Sequence, residues 1–163
     1  MYIYSLKRVQ NIPTTLDKAW DFFTSPLNLA QITPQELKFH ILSSNAFDHV
    51  YAGQLIEYKL SPLRGYRVYW MTEITHVVPY RYFVDEQRRG PYRLWHHQHH
   101  FREIEGGVEM TDIVHYQLPL GVLGAMARRF FVGRQLERIF AYRREKIAAI
   151  FGSWPASAKP ESL

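Results

Sequence analysis

Residues 92–118, YRLWHHQHHFREIEGGVEMTDIVHYQL, form two alternating segments on either side of Gly106-Gly107. Period-2 alternation is the pattern of a β-strand, and a Gly-Gly pair between two such runs favours a two-residue hairpin turn, because glycine takes positive φ freely. Counting outward from that turn pairs Glu105 with Val108, Phe101 with Asp112, His99 with Val114, His97 with Tyr116 and Trp95 with Leu118. One face then carries Trp95, His97, His99, Phe101, Met110, Asp112, Val114, Tyr116 and Leu118. The other carries His96, Gln98, His100, Arg102, Thr111, His115 and Gln117. The first face is apolar enough to be interior, yet it holds two imidazoles and a carboxylate. Buried polar groups need hydrogen-bond partners, water or a function, so the pattern points to a cavity that holds something.

The chain has 163 residues, the size of one domain with a real core and room for an internal cavity. Its 11 Tyr, 10 Phe and 4 Trp imply an interior lined by rings more than by aliphatic chains. The lack of cysteine excludes thiol catalysis, disulfides and thiolate metal sites, and no serine sits in a Gly-x-Ser-x-Gly elbow. Gly121 and Gly124 alone do not make a phosphate loop. Met1 leads straight into an alternating segment and no apolar run approaches the ~20 residues of a membrane span, so a soluble, cytoplasmic protein without stable membrane insertion is expected. The net charge of +5 resides between Leu120 and Phe151, where seven basic residues face two acidic ones. That helix could dock a protein partner or touch an anionic membrane weakly, but a basic helix face is ordinarily just solvated, and no nucleic-acid motif accompanies it.

Tyr2 to Ile12 alternates as a first strand. Thr14 or Thr15 caps a short helix through Phe23, with Trp20 and Phe23 on one face, and a second helical turn covers Leu27 to Ile32. Further strands are expected at Leu37–Leu42, Gln54–Leu60, Tyr66–His76, Tyr82–Arg88, Leu94–Ile104 and Glu109–Leu118. After Pro119 the period turns helical, with Leu136, Ile139, Phe140, Arg143, Ile147 and Ile150 on one stripe, Met126 and Phe130 before it, and a bend near Gly133. Residues 1–151 thus read as a single α+β domain, a curved antiparallel sheet of about seven strands wrapped around a long C-terminal helix. Residues 152–163, rich in Ser, Pro, Ala and Lys, read as a flexible tail.

Specific residues in these elements carry a resemblance. They include Trp20-Asp21-Phe22-Phe23, Ser25-Pro26-Leu27-Asn28-Leu29, Ile32-Thr33-Pro34, Gly53 with Ile56-Glu57-Tyr58, and Phe83-Val84-Asp85-Glu86-Gln87 with Gly90-Pro91-Tyr92. Trp95 to Phe101, Met110-Thr111-Asp112, Tyr116, Leu118-Pro119, Gly121 and Gly124 complete the set. Together they resemble the START-related SRPBCC superfamily with its helix-grip fold, and within it a bacterial subgroup of uncharacterised ligand-binding proteins. The resemblance implies an internal ligand cavity. It leaves chemistry open, because the superfamily includes lipid carriers, quinone-binding proteins, hormone receptors and polyketide cyclases.

Burial choices on the other strands complete the expected interior. Trp70, Thr72 and Ile74 face in because the opposite set includes Glu73, and Phe83, Asp85 and Gln87 are placed inward partly on the resemblance. The expected ligand-binding residues are Trp70, Thr72, Phe83, Asp85, Gln87, Trp95, His97, His99, Phe101, Asp112 and Tyr116. His99, diagonal to Asp112, is within hydrogen-bond reach of it. These groups can satisfy one another, orient a small, largely apolar or amphipathic molecule, or carry acid/base catalysis of a cyclase or dehydratase kind through His97 or His99 with Asp112 or Asp85. The leading expectation is a non-catalytic binder or carrier without cofactor. His97-x-His99 beside a carboxylate imitates a two-histidine, one-carboxylate metal site, but no third imidazole follows at ligand spacing, so no metal is expected.

Overall fold

A computed structural model describes residues 2–43, 49–63, 66–119 and 131–155. Seven strands form one antiparallel sheet in the order β1-β7-β6-β5-β4-β3-β2. They are β1 (Tyr4–Ile12), β2 (His40–Ile41), β3 (Leu55–Leu63), β4 (Tyr66–Val78), β5 (Tyr82–Arg89), β6 (Leu94–Ile104) and β7 (Gly107–Gln117). Helices α1 (Leu16–Phe23) and α2 (Pro26–Leu29) follow β1, and the long helix α3 (Gly133–Phe151) comes last. Among the described residues no helix is long and apolar enough to cross a membrane.

Local chemistry sets these boundaries. Thr15 caps α1, its hydroxyl accepting from the Lys18 N–H at 3.4 Å, and the helix buries Ala19, Trp20 and Phe23. The six-residue strand expected at Leu37–Leu42 is shorter. Gln35–Leu37 is a 3₁₀ turn and Lys38 takes φ 45°, so only His40 and Ile41 remain to pair with β3 at the sheet edge. Register breaks in the β4–β5 pairing, between Met71 and Thr72 and between Ile74 and His76, add the local bend and twist that curl a sheet.

The hairpin register differs from the Gly-Gly expectation by two residues. Ile104 pairs with Gly107, so Phe101 faces Met110, His99 faces Asp112, His97 faces Val114 and Trp95 faces Tyr116. Only Gly106 needs the left-handed region, with φ 82°. Gly107 is glycine for another reason: a Cβ there would lie 2.2 Å from the Ile12 carbonyl oxygen on β1. A two-residue shift keeps side-chain parity, so every residue stays on its expected face.

Helix α3 grips the sheet through Leu136, Phe140, Arg143 and Ile147, all buried. Ile150, placed on that stripe by its period, is exposed, while Ile139 is half-buried. Phe131 and Val132 precede α3 as a π-helical turn, where a bend was expected. Met126, Phe130, Gly121, Gly124, Arg128 and Arg129 lie outside the described residues. Past the helix, Trp154 packs over the hairpin turn, within 3.6 Å of where a Gly106 Cβ would stand, and the tail from residue 156 is outside the described residues.

Among the described residues three apolar clusters fill the interior. One joins Ile12, Trp20, Phe23, Phe83, Phe101, Met110 and Ile147. A second joins Ile56, Tyr58, Trp70 and Ile74 on the outer strands. The third sets Val114 and Tyr116 of β7 against Leu136 and Phe140 of α3. Buried aromatic and aliphatic area of this kind is the main stabilising term of the domain.

Candidate functional site

Members of all three clusters line one cavity between sheet and helix, of about 230 Å³. Its walls are aromatic: Phe39, Tyr58, Trp70, Phe83, Tyr92 and Trp95 contribute, and Leu136, Ile139 and Phe140 close it from α3. The space suits a molecule somewhat smaller than a typical drug-sized ligand.

Four titratable side chains meet at one wall. Asp85 on β5 is the Cα partner of His97 on β6, and Asp112 on β7 is the partner of His99, so two carboxylates flank two imidazoles that point the same way two residues apart. His97 Nε2 lies 3.0 Å from Asp112 Oδ1 and His99 Nε2 lies 3.0 Å from Asp85 Oδ2. The other nitrogens close the box: His97 Nδ1 is 3.4 Å from Asp85 Oδ2, and His99 Nδ1 is 2.9 Å from Asp112 Oδ1. That last contact is close but poorly aligned for a hydrogen bond. Ring packing fixes both imidazoles. His99 stacks on Phe83 at 4.2 Å between centroids, and His97 meets Phe140 edge-on at 6.0 Å.

Arg143 is the site residue that the sequence did not single out. Its Nη2 lies 3.7 Å from Asp112 Oδ1 and its guanidinium covers the Phe23 ring at 5.6 Å, leaving a buried Nε with no hydrogen-bond partner. The signal was present as a cation on the apolar stripe of α3. Counting Arg143 with the solvated basic face was an error, since only 8% of it is exposed.

Burial works against charge throughout the cluster, and neighbours decide which group yields. Desolvation raises the Asp112 carboxyl, but the Arg143 charge, the His97 hydrogen bond and the close His99 imidazole outweigh it and hold Asp112 well below the usual carboxylate range. Asp85 is lowered in the same way by His97 and His99 against its own burial. Desolvation dominates at His97 and, with the neighbouring His99 cation, lowers it. At His99 the desolvation is overcome by Asp112 and Asp85, and its value rises. With both carboxylates and Arg143 charged, one cationic imidazole makes the buried cluster neutral.

A second polar point lies on the adjoining strands β4 and β3 of the same sheet. Thr72 receives the Trp70 indole N–H at 3.0 Å and bonds the Tyr58 hydroxyl at 2.5 Å. Burial, then the nearby Asp85 charge, push the Tyr58 phenol far up, so it stays neutral.

Of the eleven residues expected at the site, Trp70, Thr72, Phe83, Asp85, Trp95, His97 and His99 line the cavity. Asp112 sits behind the imidazoles and borders a smaller pocket with Arg8, Arg143 and Arg144. Phe101 and Tyr116 are core residues behind the wall. Gln87 is engaged elsewhere. Its amide donates to the Tyr92 carbonyl at 2.6 Å and accepts the Tyr92 N–H at 3.2 Å, clamping the β5–β6 loop. On the outer face, His96 bonds Glu86 at 2.8 Å and His100 bonds Gln98 at 2.9 Å.

No family model and no curated protein matches the sequence. Solved structures match it over nearly their whole length. An aromatase/cyclase, Zhui, from Streptomyces sp. R1128 superposes with TM-score 0.71 at 14% identity, covering 91% of this chain and 93% of its own. A Chromobacterium violaceum protein gives TM-score 0.70 at 10% identity, with 92% and 99% covered. Ginseng major latex-like protein 151 from Panax ginseng gives 0.64 at 12%, with 94% and 99% covered. The chain has the helix-grip fold. At these identities the likeness speaks for the fold alone.

Proposed function

We propose that this chain binds or carries a small, largely apolar molecule in the cavity under α3, its polar end turned to His97, His99 and Asp85. The observation that carries the reading is the asymmetry of the wall: an aromatic lining with one convergent polar cluster is the anatomy of a site that fixes orientation by a few polar groups and gains affinity from burial. The test is native mass spectrometry of freshly purified protein, followed by titration with anilinonaphthalene sulfonate read by its own fluorescence. A retained organic molecule, or saturable probe binding that Leu136→Trp abolishes by filling the cavity, supports the reading. Probe binding equal in wild type and the filled variant overturns it.

A second reading is acid/base catalysis of a cyclase or dehydratase kind. It is favoured by His97, an imidazole kept neutral by burial, lining the cavity with Asp85 opposite. Such an enzyme would turn over a polyketide-like substrate, and His97→Gln would abolish turnover while leaving probe binding intact.

A further inference from the structure

The polar wall has a feature that an organic ligand does not require. His97 and His99 each point one nitrogen at the same oxygen, Asp85 Oδ2, from 3.4 and 3.0 Å. One donor atom from each of the three residues lies within 4.8 Å of the others. Ligands held about 2.1 Å from a metal ion stand about 3.0 Å apart at right angles and about 3.4 Å apart at tetrahedral angles, so these two edges have the lengths of a coordination polyhedron.

The outer nitrogens complete the pattern. Asp112 Oδ1 is 3.0 Å from His97 Nε2 and 2.9 Å from His99 Nδ1. A carboxylate behind a ligating imidazole fixes its tautomer and turns its lone pair to the metal, and Asp112 holds that position behind His97 while standing 2.9 Å from His99 Nδ1. With its Nε2 proton donated to Asp112, His97 turns a lone pair toward Asp85 Oδ2, and an ion held between the two rings and that oxygen would take the place of the proton that His99 Nε2 shares with Asp85.

We propose that Asp85, His97 and His99 bind one divalent first-row transition ion, with Asp112 as the positioning carboxylate and the remaining coordination positions open to the cavity. The donor set of two imidazoles and one carboxylate, without thiolate, suits zinc, iron(II), cobalt or nickel better than magnesium or calcium. All three donors line the cavity, so an exogenous ligand reaches the ion from the aromatic side. Charge adds a constraint on that ligand. Asp85 and Asp112 against Arg143 and a divalent ion leave the buried site one positive charge in excess, which one anionic oxygen donor, such as an enolate, phenolate or carboxylate, neutralises. The ion site does not rest on the carrier reading, since it needs only the three side chains.

The probe is Co²⁺ added to protein first dialysed against chelator. Expected are one ion per chain, visible ligand-field bands displaced by Zn²⁺, and a raised melting temperature, since an ion bound only by the folded state stabilises it. Asp85→Ala loses stoichiometric binding while circular dichroism shows it folded, and the double variant His96→Ala, His100→Ala on the outer face keeps it. Asp112→Asn weakens Co²⁺ binding about 10–100-fold and shifts the bands. Should the cluster variants not fold, wild-type NMR decides: paramagnetic broadening must fall on the His97, His99 and Phe83 rings. No stoichiometric binding at millimolar Co²⁺, binding kept in folded Asp85→Ala, or broadening confined to His96, His100 and His115 overturns the proposal.

Discussion

Asp85 and Asp112 hold the same two imidazoles from opposite sides of β6. Each stands directly across from one histidine in the sheet register and reaches the other diagonally. They are not equivalent. Asp85 lines the cavity, whereas Asp112 does not and is paired with Arg143, which reaches both the cavity and the smaller pocket behind it. The sheet thus carries its reactive surface on β5 and β6 and its counter-charge on β7 and α3.

That division predicts a non-additive pair of substitutions. Asp112→Asn removes the partner of both imidazoles and of Arg143, and is expected to cost about 1–3 kcal/mol in urea unfolding. Arg143→Met alone leaves Asp112 without its cation and is also destabilising. The double variant removes both charges and should lose clearly less than the two single costs together. Strict additivity would show that Asp112 and Arg143 are not coupled.

The two histidines should titrate apart in ion-free protein. An imidazole begins from an ordinary value of 6.5, from which His99 is raised and His97 lowered. For His99 the folded value exceeds the unfolded one, so its contribution to stability is complete below pH 6.5 and is lost as pH rises through the folded value. His97 acts oppositely: below pH 6.5 the unfolded chain takes a proton that the folded protein refuses, and stability falls until the folded value is passed. Nitrogen-15 NMR of the ring should place the His99 midpoint above 6.5 and that of His97 below it. Midpoints in the reverse order would remove the electrostatic account of the cluster.

Thr72 gives a test on the neighbouring strand β4. Its hydroxyl serves both the Trp70 indole and the Tyr58 phenol, each buried. Thr72→Val keeps the shape and strands both partners, so a loss of about 1–3 kcal/mol is expected in chemical denaturation. Thr72→Ser restores the oxygen and should recover most of it. Equal stability of Val and Ser variants would mean that the hydroxyl contributes packing only.

Much of the site was legible because side-chain parity is robust. Placing the hairpin turn one residue too late shifted every cross-strand pair by two and moved no residue from its face, so His97, His99 and Asp112 came out inward although His99 stands opposite Asp112 and not diagonal to it. Asp85 was set inward by a choice between two alternations on β5, and its side chain lines the cavity. Arg143 and Gln87 were harder for a shared reason. A polar residue's local pattern gives its direction but not its partner, and Arg143 meets Asp112 from another element while Gln87 bends back on its own loop at Tyr92. For an ion site a third imidazole was sought along β6, whereas sheet register sets the Asp85 carboxylate beside His97 from the neighbouring strand.

The two glycines of the hairpin should fail differently. Gly106 is needed for its φ of 82°, a region that asparagine enters at small cost, and its nearest neighbour, at 3.6 Å, is a Trp154 side-chain atom. Gly107 has ordinary φ but no room: its Cβ would meet the Ile12 carbonyl at 2.2 Å and the Trp154 ring at 2.9 Å. The Trp154 ring can move aside, whereas the Ile12 carbonyl belongs to β1, which is paired along β7 from Tyr4 to Ile12. Gly107→Ala must therefore push the hairpin away from β1, with an expected cost of about 1–3 kcal/mol, as for other overpacked positions. Gly106→Asn should cost less, and Gly106→Val more than Asn because a β-branched residue resists positive φ. Urea unfolding of the three variants gives the ranking, and Gly107→Ala proving milder than Gly106→Asn would show that β1 yields at Ile12.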